Sequence, residues 1–235
     1  MGCVIAERLT NSGHMVSIAN SRGPETLTEV SEKIGARAVA IGDLFERSEL
    51  VIVSIPQNNI PALSKEVSQL LTDSVIVVDT GNYFPSIRDG RIDSIENGMT
   101  ESGWVSHHLG RKVVKVFNNI TAQSLAENGS PAGSSERVAL PVAGDGEQEK
   151  NTVMAIVDQL GFDSIDAGGL DESWRQQPGT PVYATDWGKE GVELALSKAV
   201  RERSAELREL ALQRLQDLPN GFSHRDLVAA LRSLQ

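Results

Sequence analysis

Short β-branched runs alternate with amphipathic stretches along the first half of the chain. Residues 1–11 place Val4, Ile5, Ala6 and Leu9 at helical spacing, and Gly13 stops the helix they predict. Val16 to Ala19 predicts a strand. Pro24, whose fixed φ suits a first helical turn, opens a helix that runs to Ile34 and is closed by Gly35. A second strand is predicted at Ala38–Ile41 and a brief helix at Asp43–Arg47. Leu50 to Ile55 is almost uninterrupted apolar text, the signature of a strand covered on both faces of a parallel sheet. A helix from Pro61 to about Leu71 and another buried strand, Ser74–Asp79, complete this half.

The text from Gly81 to Gly110 is polar, with Gly90, Gly98 and Gly103 as breakers, and predicts a long loop. Strands follow at Lys112–Phe117 and Arg137–Val142, with a short helix near Ala122 between them. Gln148–Leu160 reads as helix, Phe162–Asp166 as strand and Gly168–Thr185 as irregular chain. One long helix is predicted from Trp187 to Leu218, broken by Asn220-Gly221, and a last one is capped by Ser223. Alternation of strand and helix implies right-handed crossovers. The expected fold is α/β, a doubly wound Rossmann-like parallel sheet over residues 1–185, with a C-terminal helical extension over 186–235.

Composition narrows the partners. A net charge of −10 disfavours nucleic acid and anionic membrane, which ask for a basic surface. No apolar run has the length of a bilayer span, and Glu7, Arg8, Asn11 and Ser12 interrupt any leader-like pattern. A lone cysteine, Cys3, allows no intrachain disulfide, so a cytoplasmic location is the default expectation.

Candidate chemistry collects where strands end. Ligands of doubly wound sheets lie beyond the carboxyl ends of the strands, with phosphates at a glycine turn and helix N-terminus. Gly2 stands where the last glycine of such a turn would sit. The strand after the first helix ends in Asn20-Ser21-Arg22 rather than in the Asp or Glu that holds a ribose 2′-hydroxyl. Taken alone this is a polar turn with a solvated arginine; at this place in the fold it suits a 2′-phosphate. Ser54-Ile55-Pro56-Gln57, Asp79-Thr80-Gly81-Asn82 and Phe117-Asn118-Asn119 form three further polar strand ends.

These motifs resemble the deazaflavin-dependent NADP oxidoreductase family, whose nucleotide domain also occurs in the cytosolic part of six-transmembrane ferric reductases. The matching text is Asn20-Ser21-Arg22, Val53–Pro56, Val78–Tyr83, Val114–Asn118, Ala143-Gly144-Asp145 and Gln177–Tyr183, in order along residues 1–185. The resemblance implies NADP(H) as cofactor and a deazaflavin or flavin as the small-molecule acceptor. It implies that Ser21 and Arg22, beside Asn20, meet the 2′-phosphate, and that Ser54, Ile55, Pro56 and Gln57 line the nicotinamide end. Asn118 then lies near the acceptor, and Asn82 is counted among the cofactor-binding residues. The family's first strand and first two glycines have no counterpart in this sequence, and the expectation is a start placed inside the glycine motif.

Hydride transfer asks for aligned rings and exclusion of water rather than a dedicated acid or base, and no catalytic residue is assigned. His107-His108 are adjacent in the chain and unsuited to a shared target, and no metal site is expected. Lys115 is expected to face solvent or a neighbouring carboxylate, Tyr183 to pack, and Trp174-Arg175 to cover the site or fill a domain edge. Two other readings stay open. One is a non-catalytic NADP-binding or redox-sensing module; the other is an NADP-dependent dehydrogenase of a small hydroxy acid or imine. Leucines along 187–218 raise the expectation of a homodimer built on that helix.

Overall fold

The computed structural model describes residues 1–67, 69–219 and 221–233. The chain opens on α1 (Gly2–Asn11), then β1 (Ser17–Ile18), a single 3₁₀ turn at Pro24–Leu27 and α2 (Thr28–Ile34). Gly35, at φ 69°, takes the left-handed conformation that closes α2. Next come β2 (Arg37–Ala38), α3 (Ile41–Arg47), β3 (Leu50–Val53), α4 (Ile60–Val67) and β4 (Ile76–Asp79). The helix end expected near Leu71 spans Ser68, which lies outside the described residues, as does Asn220 of the expected break.

β1 and β2 pair in parallel, and β3, β4 and β5 (defined below) form a second parallel group. Side chains alternate across β3 and β4 with period two. Val51, Val53 and Val77 enter a core with Ile60 and Val67 of α4. Leu50, Ile52, Ile76 and Val78 face the opposite core, with Ile5 and Leu9 of α1. Helices therefore cover both faces, as a doubly wound sheet requires. Among the described residues β1 pairs only with β2, and β3 only with β4. The register leaves the main-chain groups of Ser17 on β1, and of Leu50 and Ile52 on β3, directed away from those partners.

The expected loop over 81–110 is largely helical. A π turn at Pro85–Asp89 precedes α5 (Asp93–Glu96) and α6 (Glu101–Leu109). Gly103, read as a breaker, sits inside α6, where its amide is held by the Thr100 cap at 3.0 Å. An interior glycine costs about 1 kcal/mol of helix propensity. Burial of Trp104, Val105 and Leu109 in the α4 core outweighs that.

β5 (Val114–Lys115), α7 (Ala122–Glu127), β6 (Ala139–Val142), α8 (Glu147–Gln159) and β7 (Asp163–Asp166) follow. β6 and β7 are parallel to each other, but Lys115 meets Ala143 in an antiparallel bridge, so the sheet changes direction after β5. The observed strands are mostly shorter than the runs that predicted them, because pairing ends before the apolar text does.

A 3₁₀ segment at Leu170–Gln176 leads to α9 (Lys189–Lys198), α10 (Ser204–Gln216) and α11 (His224–Arg232). The single helix expected over 187–218 is thus divided, with Ala199 and Val200 extended. Tertiary contacts explain the break. Arg175 donates to the Leu196 carbonyl at the end of α9, and Arg201 donates to the Gly98 carbonyl at 2.7 Å. The Ser223 cap is present as a full capping box with Asp226. Ala211 and Leu215 of α10 pack with Leu227 and Leu231 of α11, so that part of the leucine stripe is covered within the chain. No helix among the described residues is long and apolar enough to cross a membrane.

Candidate functional site at the carboxyl edge of the sheet

The ends of β3, β4 and β5 lie side by side at one edge, and α1 begins beside the end of β3. Gly2 lies against the end of β3: a Cβ built on it would come within 3.3 Å of the Ser54 Cβ. The first amides of α1 have no acceptor inside the helix, as in any helix start. Ser54, Ile55 and Pro56 are half-buried just past β3.

Beyond β1, Asn20 organises a small turn. Its Oδ1 accepts from the Arg22 amide at 2.8 Å, and its Nδ2 donates to Thr26 Oγ1 at 3.0 Å. Ser21 and Arg22 are exposed, and the Arg22 guanidinium has no ion-pair partner among the described residues.

The ends of β4 and β5 are built differently. Asp79 and Lys115 stand opposite each other in register and are 1% and 0% exposed. Lys115 Nζ lies 3.2 Å from Asp79 Oδ2 and donates to the Gly81 carbonyl at 2.5 Å. Asp79 also accepts from Ser102 Oγ at 2.7 Å and from the Gly81 amide at 2.8 Å. Lys115 thus faces a carboxylate, one of its two expected environments. Gln57 is fully buried and donates to the Glu101 carbonyl at 2.9 Å, so its amide braces α6, while its Oε1 finds no partner among the described residues.

Asn82 and Asn118 meet. Asn82 Nδ2 donates to the Asn118 carbonyl at 2.9 Å, and Asn118 Nδ2 donates to Asn82 Oδ1 at 3.1 Å. Asn118 is sealed further by Gln176: its Nδ2 donates to the Gln176 carbonyl at 2.6 Å, and Gln176 Nε2 donates back to its Oδ1 at 3.0 Å. Asn118 is therefore buried behind Asn82, which is the half-buried member of the pair. Phe117, just before it, has φ 63°, a conformation rarely taken by a bulky residue and held here by the packed surroundings. Arg88 donates to the Asn82 carbonyl and pairs with buried Asp89 at 2.8 Å, so a partly exposed cation stands at this rim.

Among the carboxyl groups here, Glu101 is the most perturbed. Burial pushes its carboxyl up to about 7, against the opposing pull of Lys115 and Arg208. Burial also raises the Tyr183 phenol, with the nearby Glu101 charge acting in the same sense; the Tyr183 oxygen lies 3.3 Å from Asn82 Nδ2. His107 and His108 lie on α6, where His108 Nδ1 meets the Trp104 carbonyl at 3.0 Å and its ring stacks obliquely on Trp104. Trp174 is buried under the guanidinium of Arg175, 4.6 Å from the ring centroid. Sequence reading missed Ser102, Glu101, Arg88 and Gln176 as members of this edge; only their place after a polar strand end hinted at it.

A family described as NADP oxidoreductase, coenzyme F420-dependent, matches residues 1–83. YjhV of Escherichia coli (strain K12) is 47% identical over 60 residues, a stretch that covers 26% of this chain and 44% of that protein, so the match spans less than half of this curated relative. The solved structure of the hypothetical protein SMa0349 from Sinorhizobium meliloti aligns with a TM-score of 0.69 at 31% identity, covering 80% of this chain and 90% of that one. A candidate F420-dependent NADP reductase from Arthrobacter sp. FB24 aligns with a TM-score of 0.60 at 24% identity, over 74% of this chain and 82% of that one, and supports the fold. The chain belongs to the family of coenzyme F420-dependent NADP oxidoreductases.

Proposed function

We propose that this chain binds NADP(H) across the carboxyl edge of its sheet and transfers hydride between that nucleotide and a flat redox acceptor, a deazaflavin or a flavin. The observation that carries the reading is the rim beyond β1. In a chain of net charge −10, Arg22 stands exposed and without an ion-pair partner among the described residues, on a turn that Asn20 holds in place. Such an arginine suits a 2′-phosphate, which offers its fork of donors a doubly charged target.

The rest of the edge fits the same ligand. Gly2 allows close approach between α1 and Ser54, and the free amides at the start of α1 suit a pyrophosphate. Ser54, Ile55 and Pro56 would line the nicotinamide end, with Asn82 beside it. The bound nucleotide supplies the hydride; the chain grips the phosphates, orients the ring and keeps water out.

Calorimetry with NADPH and NADH, joined to NADPH oxidation with a deazaflavin or FMN, tests the reading. NADPH is expected to bind much more tightly than NADH. Arg22→Ala should weaken NADPH by about 10- to 100-fold, the worth of charged hydrogen bonds of about 1.5–3 kcal/mol, and leave NADH unchanged. Failure of the native chain to bind either nucleotide would overturn the proposal.

A further inference from the structure

The buried ion pair is wired into both loops that carry the paired asparagines. Lys115 lies on β5, two residues before the strained Phe117 and three before Asn118. Its ammonium reaches across to β4, where it holds the Gly81 carbonyl, and Gly81 immediately precedes Asn82. Its own main chain is pinned on the far side by Ala143, with amide-to-carbonyl distances of 2.8 and 3.1 Å. Asp79 fixes the other end of the same turn by accepting from the Gly81 amide. One side chain therefore links the β4 loop to the β5 loop at a point with no solvent exposure.

We propose that Lys115 is a positioning residue for the acceptor end of the site: by holding the Gly81 carbonyl, it sets Asn82 against Asn118. A buried ion pair alone is weak ground for such a claim, since a well-packed neutral pair often serves the fold as well. The bond to Gly81 is what separates the two roles. Asp79 needs a neighbouring positive charge, and any neutralising change satisfies that need. Gly81 needs a donor from this direction, and only Lys115 provides one among the described residues. The inference rests on the function proposed above for its effect on turnover, but not for its effect on geometry.

The test compares Lys115→Met with the charge-balanced pair Asp79→Asn/Lys115→Met. The single variant leaves the Asp79 charge buried without its partner and is expected to be poorly stable. The pair should recover thermal stability. In the pair, the side-chain amide resonances of Asn82 and Asn118 should move from their native positions, because the turn they depend on has lost its clamp. Turnover of NADPH with a deazaflavin or FMN should fall roughly 10- to 100-fold in kcat, with the KM for NADPH within about threefold of native, as expected for a small misplacement of reacting groups.

Native asparagine resonances in a stable double variant would overturn the proposal, whatever the turnover. Full kcat in that variant would also overturn it, leaving Lys115 as a counter-charge only. A native chain that binds no nucleotide would refute the proposed function instead, and the resonances would still decide the role of Lys115.

Discussion

The strand end beyond β1 and the strand ends beyond β4 and β5 solve the same problem of holding polar groups by opposite means. Beyond β1, Asn20 does the work locally: its partners are Arg22 and Thr26, two and six residues away, and the turn stays open to solvent. Beyond β4 and β5, the partners come from far along the chain. Lys115 and Asp79 are 36 residues apart, Asn118 and Gln176 are 58, and Asn82 and Tyr183 are 101. The open rim leaves the Arg22 cation exposed to solvent. The closed rim pairs its charges with each other and buries them.

If that contrast is sound, breaking the closed rim is a global event. Asp79→Asn should have the largest effect of any single change at the edge. It leaves the Lys115 ammonium fully buried without its counter-charge and sets an amide nitrogen against it. A loss of about 3–5 kcal/mol is expected in denaturant unfolding, the usual cost of stripping one partner from a buried pair. A loss below about 1 kcal/mol would mean that water reaches the pair, and the description of a closed rim would fall.

The second prediction uses pH. Burial raises the Glu101 carboxyl to about 7 from an ordinary value of 4.5. The folded state therefore holds a proton that the unfolded state has lost between those values, so stability falls as pH rises from about 4.5 to about 7. Above that range the carboxylate is charged in place, at a cost of up to about 3 kcal/mol. Glu101→Gln should flatten this part of the stability profile and make the variant more stable than the native chain at pH 8. The two chains should converge below pH 4. Parallel profiles for the two would show that Glu101 is not the group responsible.

How much of this was legible in the sequence follows the same divide. Asn20-Ser21-Arg22 could be read because its hydrogen bonds close within one turn and its place after a strand is a matter of periodicity. The layered sheet was legible for a similar reason: Val51, Val53 and Val77 against Leu50, Ile52 and Val78 encode two faces by simple alternation. The buried network was not. Ser102 and Glu101 lie in text that reads as loop, because Gly98 and Gly103 outweigh a helix whose stability comes from burying Trp104 and Val105. The same holds for the long C-terminal helix, which breaks at Ala199 because Arg175 and Arg201 bind distant carbonyls. Asn118, expected beside a ligand, turned out to be sealed by Gln176, whose approach no local pattern announces.

The smallest expected effect belongs to the open rim and sharpens the contrast from the other side. Asn20→Ala removes the acceptor for the Arg22 amide and the donor to Thr26, both at an exposed site. A neutral, solvated hydrogen bond contributes about 1 kcal/mol, so unfolding stability should drop by no more than that. The consequence for a bound phosphate is larger in proportion, because Arg22 loses the turn that aims it. NADPH affinity should fall by roughly threefold to tenfold, less than in Arg22→Ala, while NADH affinity stays as it was. Calorimetry and denaturant unfolding on the same preparation separate the two effects. A stability loss of several kcal/mol would tie this turn into the core and erase the distinction between the rims. An unchanged NADPH affinity would show that the Asn20 turn plays no part in holding the nucleotide.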